Sequence, residues 1–239
     1  MSVFAQLVER LADLLQPLFH ASAAAAAIIL FTMLVRLLVH PLSRASARGQ
    51  NARKQLQPKI AELRRKHSRN PERLQQAVLE LHTKEKVSPL AGCLPGLFQL
   101  PAFFLLYHLF SSTTIGGEAN ALLGHDLLGA PLGDRWSDAL AGDGVLGGAG
   151  LVYVALFLFV AGVAAFNYRR TKRMMADSGG AVALGGGGEQ MPGLGAVTKA
   201  MPFMSFLTLV TVAVVPLAAA LYVVTSTTWS AVERAALYR

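Results

Sequence analysis

Charged residues are scarce in this chain, and cysteine is nearly absent. Of its 239 residues, 15% are charged and 53% are hydrophobic, whereas a soluble domain carries about 25% charged residues. The single cysteine, Cys93, excludes an intramolecular disulfide and is interpreted as a buried, inert thiol. The apolar residues gather in blocks long enough to cross hydrocarbon, which takes about 20 helical residues. The composition therefore predicts a polytopic, all-α membrane protein.

Acidic residues are missing from all the apolar blocks. The last block, 200–232, would be about 50 Å long as one helix, too long for hydrocarbon of about 30 Å, so we expect a break at Pro216. Five membrane spans are predicted, at 21–40, 89–112, 148–168, 200–215 and 216–232. Ion-coupled carriers usually place acidic groups inside spans and often repeat their halves. Neither feature is present, which disfavours a transporter.

Basic residues concentrate in two of the connecting segments. Residues 41–87 hold 12 Lys and Arg against 4 Asp and Glu, while residues 111–150 carry a net charge of −4. Lys and Arg near spans mark the cytoplasmic side, so the N-terminus is expected outside and the C-terminus inside. The other segments are predicted to be an interfacial helix at 1–20, a basic cytoplasmic hairpin at 41–88, an extracytoplasmic loop at 113–147, a Gly-rich cytoplasmic loop at 169–199 and a cytoplasmic tail at 233–239.

The N-terminal segment has the spacing of an amphipathic helix and lacks the pattern of a cleaved signal peptide. Polar residues such as Glu9 and Asp13 lie opposite one apolar face, so we expect the helix to lie in the membrane interface. The predicted apolar face consists of Phe4, Leu7, Val8, Leu11, Leu14, Leu15 and Leu18.

The basic segment 41–88 is predicted to form two antiparallel helices joined by a short turn. Asn70 is a predicted N-cap, and Pro71 occupies the first helical position after it. Pro58 predicts a kink near Gln57 or a helix that starts only there. We call this segment the basic arm; its candidate contact residues are Arg53, Lys54, Lys59, Arg64, Arg65, Lys66, Arg69 and Arg73.

Three interpretations of the basic arm remain open from its charge. It could be a solvated hairpin that only fixes topology, a binding site for anionic lipids, or a contact for ribosomal RNA. Residues 41–87 contain no aromatic side chain to stack on bases, which argues against sequence-specific RNA recognition.

Arg36 is the unusual residue of the first predicted span. A guanidinium keeps its charge in proteins, and at mid-bilayer it costs about 2.5–3.5 kcal/mol on insertion scales. It must therefore be solvated, either in a hydrated groove between helices or by extending to the cytoplasmic headgroups near His40. Thr32 lies one turn away on the same face.

Three segments closely resemble the YidC family of membrane protein insertases. They are residues 56–63, 70–76 and 88–107, the last of which contains Pro-Leu-Ala-Gly-Cys-Leu-Pro followed by Gln-Leu-Pro. Residues 221–229 are similar to the motif of that family's last span. The resemblance implies five spans, a cytoplasmic hairpin and a water-filled groove that is open to cytoplasm and lipid. It also implies insertion of small membrane proteins, alone or beside the Sec translocon, without a cofactor or a catalytic site.

The same resemblance assigns residues to the groove. Arg36 matches the groove arginine of the first span, and Gln99 matches the glutamine of the second. Tyr222 and Trp229 match aromatic positions of the last span that line the groove or touch substrate. Gln99 could instead make an ordinary interhelical hydrogen bond, and Trp229 could be an interfacial anchor.

These observations predict a nucleotide-independent insertase and chaperone of a bacterial plasma membrane. Its expected partners are nascent membrane proteins, the ribosome, anionic lipids and the Sec translocon, and no metal or other cofactor is expected. In the predicted mechanism Arg36 attracts acidic residues of a substrate, whose apolar helix then leaves sideways into lipid. The alternatives are a small-solute transporter or channel, and a passive ribosome-binding or lipid-binding tether.

Overall fold

The computed structural model describes residues 2–85, 104–115, 117–177 and 201–237. Predictions for Cys93, for Gln99, for the start of the second span and for most of the Gly-rich loop lie outside these residues. The described part is mostly helical, as an all-α membrane protein would be. Within it, two helical stretches are long and apolar enough to cross a membrane, Val3–Gly49 and Gly148–Arg173.

The first helix, α1 (Ser2–Phe19), packs against the second helix rather than standing alone. A 3₁₀ turn at His20–Ser22 reverses the chain, and His20 itself has a φ of 47°. The Phe4 ring lies 6.5 Å from that of Phe31 on the next helix. Small residues make this contact possible, because Ala5, Val8 and Ala12 are the buried positions of α1 among the described side chains. Several larger members of the predicted apolar face, Phe4, Leu7, Leu14 and Leu18, stay exposed.

The second helix, α2 (Ala23–Lys66), continues without interruption through Pro41 and Pro58. The helix therefore does not end at residue 40, where the predicted first span ends, and the alternative that a helix starts only near Gln57 is wrong. A proline inside a helix costs about 3 kcal/mol, and packing at both ends of α2 outweighs that local cost. Its first turns pack on α1, and Leu56 and Ile60 are buried near its far end.

The third helix, α3 (Pro71–Lys84), folds back on the end of α2. Asn70 is its N-cap as predicted, since its side-chain oxygen accepts a hydrogen bond from the backbone N–H of Arg73 at 3.0 Å. Leu74 is buried between the two helices. An ion pair between Lys59 and Glu85, with 2.5 Å between Nζ and Oε1, links the last third of α2 to the C-terminal end of α3.

The expected extracytoplasmic loop at 113–147 contains short elements of secondary structure in its described residues, 113–115 and 117–147. Residues 104–111 are helical and are called α4. Two antiparallel hairpins follow, in which β1 (Thr114–Ile115) pairs with β2 (Glu118–Ala119), and β3 (Asp126–Leu127) pairs with β4 (Ala130–Pro131). Alternating turns and short strands give too little periodicity for these hairpins to be recognised in the sequence.

The segment is anchored on the helices by one aromatic cluster. The short helix α5 (Trp136–Ala141) brings Trp136 onto α6 (Gly148–Asp177), where its ring lies 5.6 Å from Tyr153 and 5.3 Å from Phe157. The Tyr153 hydroxyl donates a hydrogen bond to the Asp134 carbonyl at 2.6 Å. The 112–147 segment is therefore fixed to one end of α6.

The last apolar block divides as predicted. A 3₁₀ helix at Met201–Phe206 leads into α7 (Leu207–Val214), the chain breaks at Pro216, and α8 (Leu217–Leu237) follows. The backbone N–H groups of Leu217 and Ala218 donate to the carbonyls of Asp134 and Leu132, each at 2.9 Å. These bonds satisfy donors that a helix start otherwise leaves unpaired.

The helix α8 is the central helix of the described fold. Every residue from Leu217 to Val224 is buried, and Ala218, Ala219 and Ala220 are 0% exposed. It contacts α2, α6 and α7. Small side chains let helix backbones approach closely, which explains the three consecutive alanines.

Candidate functional site

Arg36 is directed toward the last helix. Its Nε donates a hydrogen bond to Ser226 Oγ on α8 at 3.1 Å, and its Nη2 donates to the same oxygen. The Arg36 side chain is half-buried, whereas Ser226 is 4% exposed. A serine hydroxyl is a neutral acceptor, so these bonds orient the guanidinium without neutralising its charge. We call the line of contact between the two helices the α2–α8 seam; its polar residues are Thr32, Arg36, His40, Tyr222, Ser226 and Glu233.

Tyr222 lies one turn before Ser226 on α8 and is 1% exposed. Its hydroxyl shares a side-chain hydrogen bond with Ser226, and its ring lies 5.9 Å from that of Phe110 on α4. Tyr222 therefore supports the serine that holds the guanidinium.

Thr32 is buried on the same face of α2 as Arg36. Its hydroxyl donates to the Ile28 carbonyl of its own helix at 2.7 Å. That bond uses its only donor, so Thr32 can offer a ligand no more than an acceptor lone pair.

A second polar contact crosses the seam one turn beyond Arg36. His40 Nδ1 lies 2.6 Å from Glu233 Oε1. The Glu233 side chain is only 11% exposed, against 34% for His40. Because Arg36 and His40 are four residues apart on α2, and their partners Ser226 and Glu233 follow in the same order on α8, the two helices run in the same direction here.

Trp229 lies one turn after Ser226 on α8. Its Nε1 is buried with no hydrogen-bond partner, and so is Oγ1 of the neighbouring Thr228. Buried polar groups are nearly always paired, and an indole N–H is a donor only. Within the described residues this turn therefore has two buried polar groups without a partner, the Trp229 indole N–H and the Thr228 hydroxyl.

The structure brings together three of the predicted groove residues, Thr32, Arg36 and Tyr222, and Trp229 lies about two turns after Tyr222 on α8. Gln99 lies outside the described residues. The bond from Arg36 to Ser226 was not predicted from the sequence. His40 and Glu233 were missed entirely, although the spacing of four residues between Arg36 and His40 placed both on one face of α2.

The basic arm presents its charge to solvent. Lys59, Arg64, Arg65 and Lys66 of α2 are exposed, as are Arg69 in the turn and Arg73 in α3. The hydrogen bond from Lys59, aided by its charge, holds the pKa of Glu85 below its usual value. This pair therefore supports the contact between α2 and α3 above the ordinary pKa of a glutamate, and the support is lost as the pH falls through the lowered pKa.

The described residues contain no cluster of metal-ligating side chains. No group of three or more His, Cys, Asp or Glu side chains there could hold a metal ion. The polar groups of the seam are thus one cation, three hydroxyls and one His–Glu pair, and the unpaired indole N–H of Trp229 follows on the next turn of α8.

Comparisons with known proteins agree on one family. The family model described as 60Kd inner membrane protein matches residues 15–239. Three relatives carry the name membrane protein insertase YidC. The protein from Clostridium perfringens is 42% identical over 87 residues, which are 36% of this chain and 37% of the relative.

The other two relatives are longer proteins. The one from Polynucleobacter asymbioticus is 42% identical over 101 residues, 42% of this chain and 18% of the relative. The one from Magnetococcus marinus is 48% identical over 81 residues, 34% of this chain and 15% of the relative. The chain thus matches less than two fifths of the length of each of the three relatives.

Proposed function

Since this chain belongs to the 60Kd inner membrane protein family, we propose that it is a membrane protein insertase. It takes small membrane proteins from the cytoplasm, holds them at the α2–α8 seam and releases them into lipid. It uses neither a nucleotide nor a catalytic site. The names of the three relatives support the activity.

The proposed topology has five spans. Their order follows the charge of the connecting segments, with the N-terminus and residues 113–147 outside and the basic arm and C-terminal tail in the cytoplasm. The break at Pro216 supports counting α7 and α8 as two spans. The proposed location is the plasma membrane of a bacterium.

One observation carries the proposal: the charge of Arg36 is held between two helices by a neutral partner. A guanidinium has five N–H donors, and hydrogen bonds to Ser226 occupy Nε and Nη2. In the described residues the other donors have no acceptor, so they could receive a carboxylate in a bidentate arrangement. An acidic residue in the tail of a substrate would then cross the membrane beside a fixed opposite charge.

The remaining steps follow from hydrophobic transfer. The apolar helix of the substrate gains about 0.8 kcal/mol for each CH₂ group that leaves water, which is enough to drive insertion without ATP. The unpaired Nε1 of Trp229 could donate to a backbone carbonyl of the substrate on this path. Exposed apolar side chains such as Leu38 on α2 and Leu158 and Phe159 on α6 can be contacted by lipid or by an exiting helix.

The activity is tested with the purified full-length chain in liposomes. A single-span test protein with an acidic N-terminal tail is added without ATP or GTP, and insertion is scored by protease protection of the tail. We expect protection well above that of protein-free liposomes. Ion flux without insertion would favour a channel, and neither flux nor insertion would favour a passive tether.

The basic arm is proposed to bind phosphate groups through its exposed arginines. Replacing Arg64, Arg65, Arg69 and Arg73 by Gln should weaken binding by at least about tenfold at low salt, since each basic residue near an anionic surface contributes about 1 kcal/mol. The matched control replaces the exposed, neutral Gln75 and Gln76 of α3 by Ala.

Separate measurements distinguish the two sources of phosphate. Flotation with vesicles of anionic lipid tests headgroups, and co-sedimentation with ribosomes tests ribosomal RNA. Loss of binding in one assay alone identifies the partner. Equal binding by the quadruple variant and the control in both assays would leave the arm as a solvated hairpin.

A further inference from the structure

Arg36 shares the seam with a carboxylate of the protein itself. Glu233 lies near the cytoplasmic end of α8, and its charge acts on the Arg36 guanidinium. In the described structure it is paired with His40 instead, at 2.6 Å. The seam therefore contains one cation that needs an acidic ligand and one acid that could serve as that ligand.

We propose that His40 holds Glu233 away from Arg36 and so keeps the guanidinium available for the carboxylates of a substrate. This makes His40 a positioning residue that sets the preference for acidic tails. The inference rests on the proposed insertase function and adds to it a residue outside the predicted groove.

The burial of Glu233 makes it a strong competitor of substrate carboxylates for Arg36. Glu233 is 11% exposed, and a buried carboxylate without a partner is costly. When the imidazole is removed, the carboxylate must find another cation or take up a proton. Arg36 lies one turn away from His40, about 6 Å along α2. A guanidinium binds a carboxylate more strongly than it binds a serine hydroxyl.

The pairing of His40 does not depend on a full positive charge. Nδ1 can donate a hydrogen bond in the imidazolium and in one neutral tautomer. Ser226 and Tyr222 offer Arg36 only hydroxyl groups. In the wild type a substrate carboxylate therefore meets an Arg36 with neutral ligands only, whereas once His40 is lost it competes with Glu233.

The test compares variants in proteoliposomes that contain the full chain. His40→Ala should lower the insertion rate of the acidic-tailed test protein roughly tenfold if Glu233 then occupies Arg36 about nine-tenths of the time. Insertion of the same protein with its tail acids changed to Asn and Gln should not change. Arg44→Ala is the matched control, since Arg44 is an exposed cation one turn beyond His40.

The double variant gives the deciding result. Adding Glu233→Gln to His40→Ala removes the competing carboxylate, so insertion should return to within about twofold of Glu233→Gln alone. If the His40–Glu233 pair only held the two helices together, the double variant would insert the test protein no faster than His40→Ala. His40→Gln keeps a donor for Glu233 and should retain most of the activity.

Two further outcomes would overturn the inference. One is an equal loss with acidic and neutral tails in His40→Ala, and the other is no loss at all. If His40→Ala fails to accumulate in the membrane, His40→Phe fills the same space without a donor and is expected to behave in the same way.

The proposed function can fail separately. Wild-type protein that inserts neither substrate would count against the insertase itself. If insertion requires Arg36 but the His40 variants insert the acidic-tailed protein at the wild-type rate, the inference alone is wrong.

Discussion

Arg36→Ala should lower insertion of an acidic-tailed substrate by about ten- to a hundredfold. The reason is the loss of hydrogen bonds to a charged group, which contribute about 1.5–3 kcal/mol. The same variant should insert a neutral-tailed substrate at a rate close to that of the wild type. Insertion is scored by protease protection in liposomes, with the variant and the wild type at equal density.

Arg36→Lys separates charge from geometry. A lysine is a point charge without the planar fork of the guanidinium, so it cannot contact Ser226 and a carboxylate in the same way. We expect intermediate insertion. Equal insertion by wild type, Arg36→Lys and Arg36→Ala would remove Arg36 from the mechanism and would favour a tether in which only the basic arm matters.

Ala219→Leu should destabilise the fold by about 1–3 kcal/mol or more, because extra methylene groups in a well-packed core force neighbouring side chains out of place. Ala219 is 0% exposed in the centre of α8. Its neighbours Ala218 and Ala220 are also 0% exposed, so no side of this turn has room for a larger side chain. The measurement is the midpoint of unfolding of the purified protein in detergent.

Ala155→Leu is the matched control for Ala219. Ala155 is exposed on α6, where a larger apolar side chain meets lipid or detergent instead of another helix. We expect its midpoint to stay near that of the wild type. Equal midpoints for the two leucine variants would show that α8 is not closely packed on all sides.

Local signals in the sequence predicted the features that short-range physics controls. Asn70 caps α3 because an Asn followed by Pro is a strong helix start. The break before α8 follows from Pro216 and from the length of the apolar block. The isolated charge of Arg36 in an apolar stretch correctly indicated a residue that needs a polar partner.

Features that depend on distant contacts could not be predicted in this way. Pro41 and Pro58 look like helix ends locally, but packing along α2 keeps the helix intact. The pairing of His40 with Glu233 joins residues 193 positions apart, and no periodicity within either helix encodes it. The burial of small rather than large residues on α1 likewise depends on how closely α2 approaches.

The unbroken course of α2 has a mechanical consequence. At 1.5 Å per residue its 44 residues form a helix about 66 Å long, with Arg36 about 20 Å from its first residue and the tip of the basic arm at its other end. A partner that binds the basic arm as proposed would contact a helix that continues to Arg36 without an intervening loop, although through Pro41 and Pro58. Binding of a partner at the tip of the basic arm and the orientation of the Arg36 guanidinium would then be connected through a single helix.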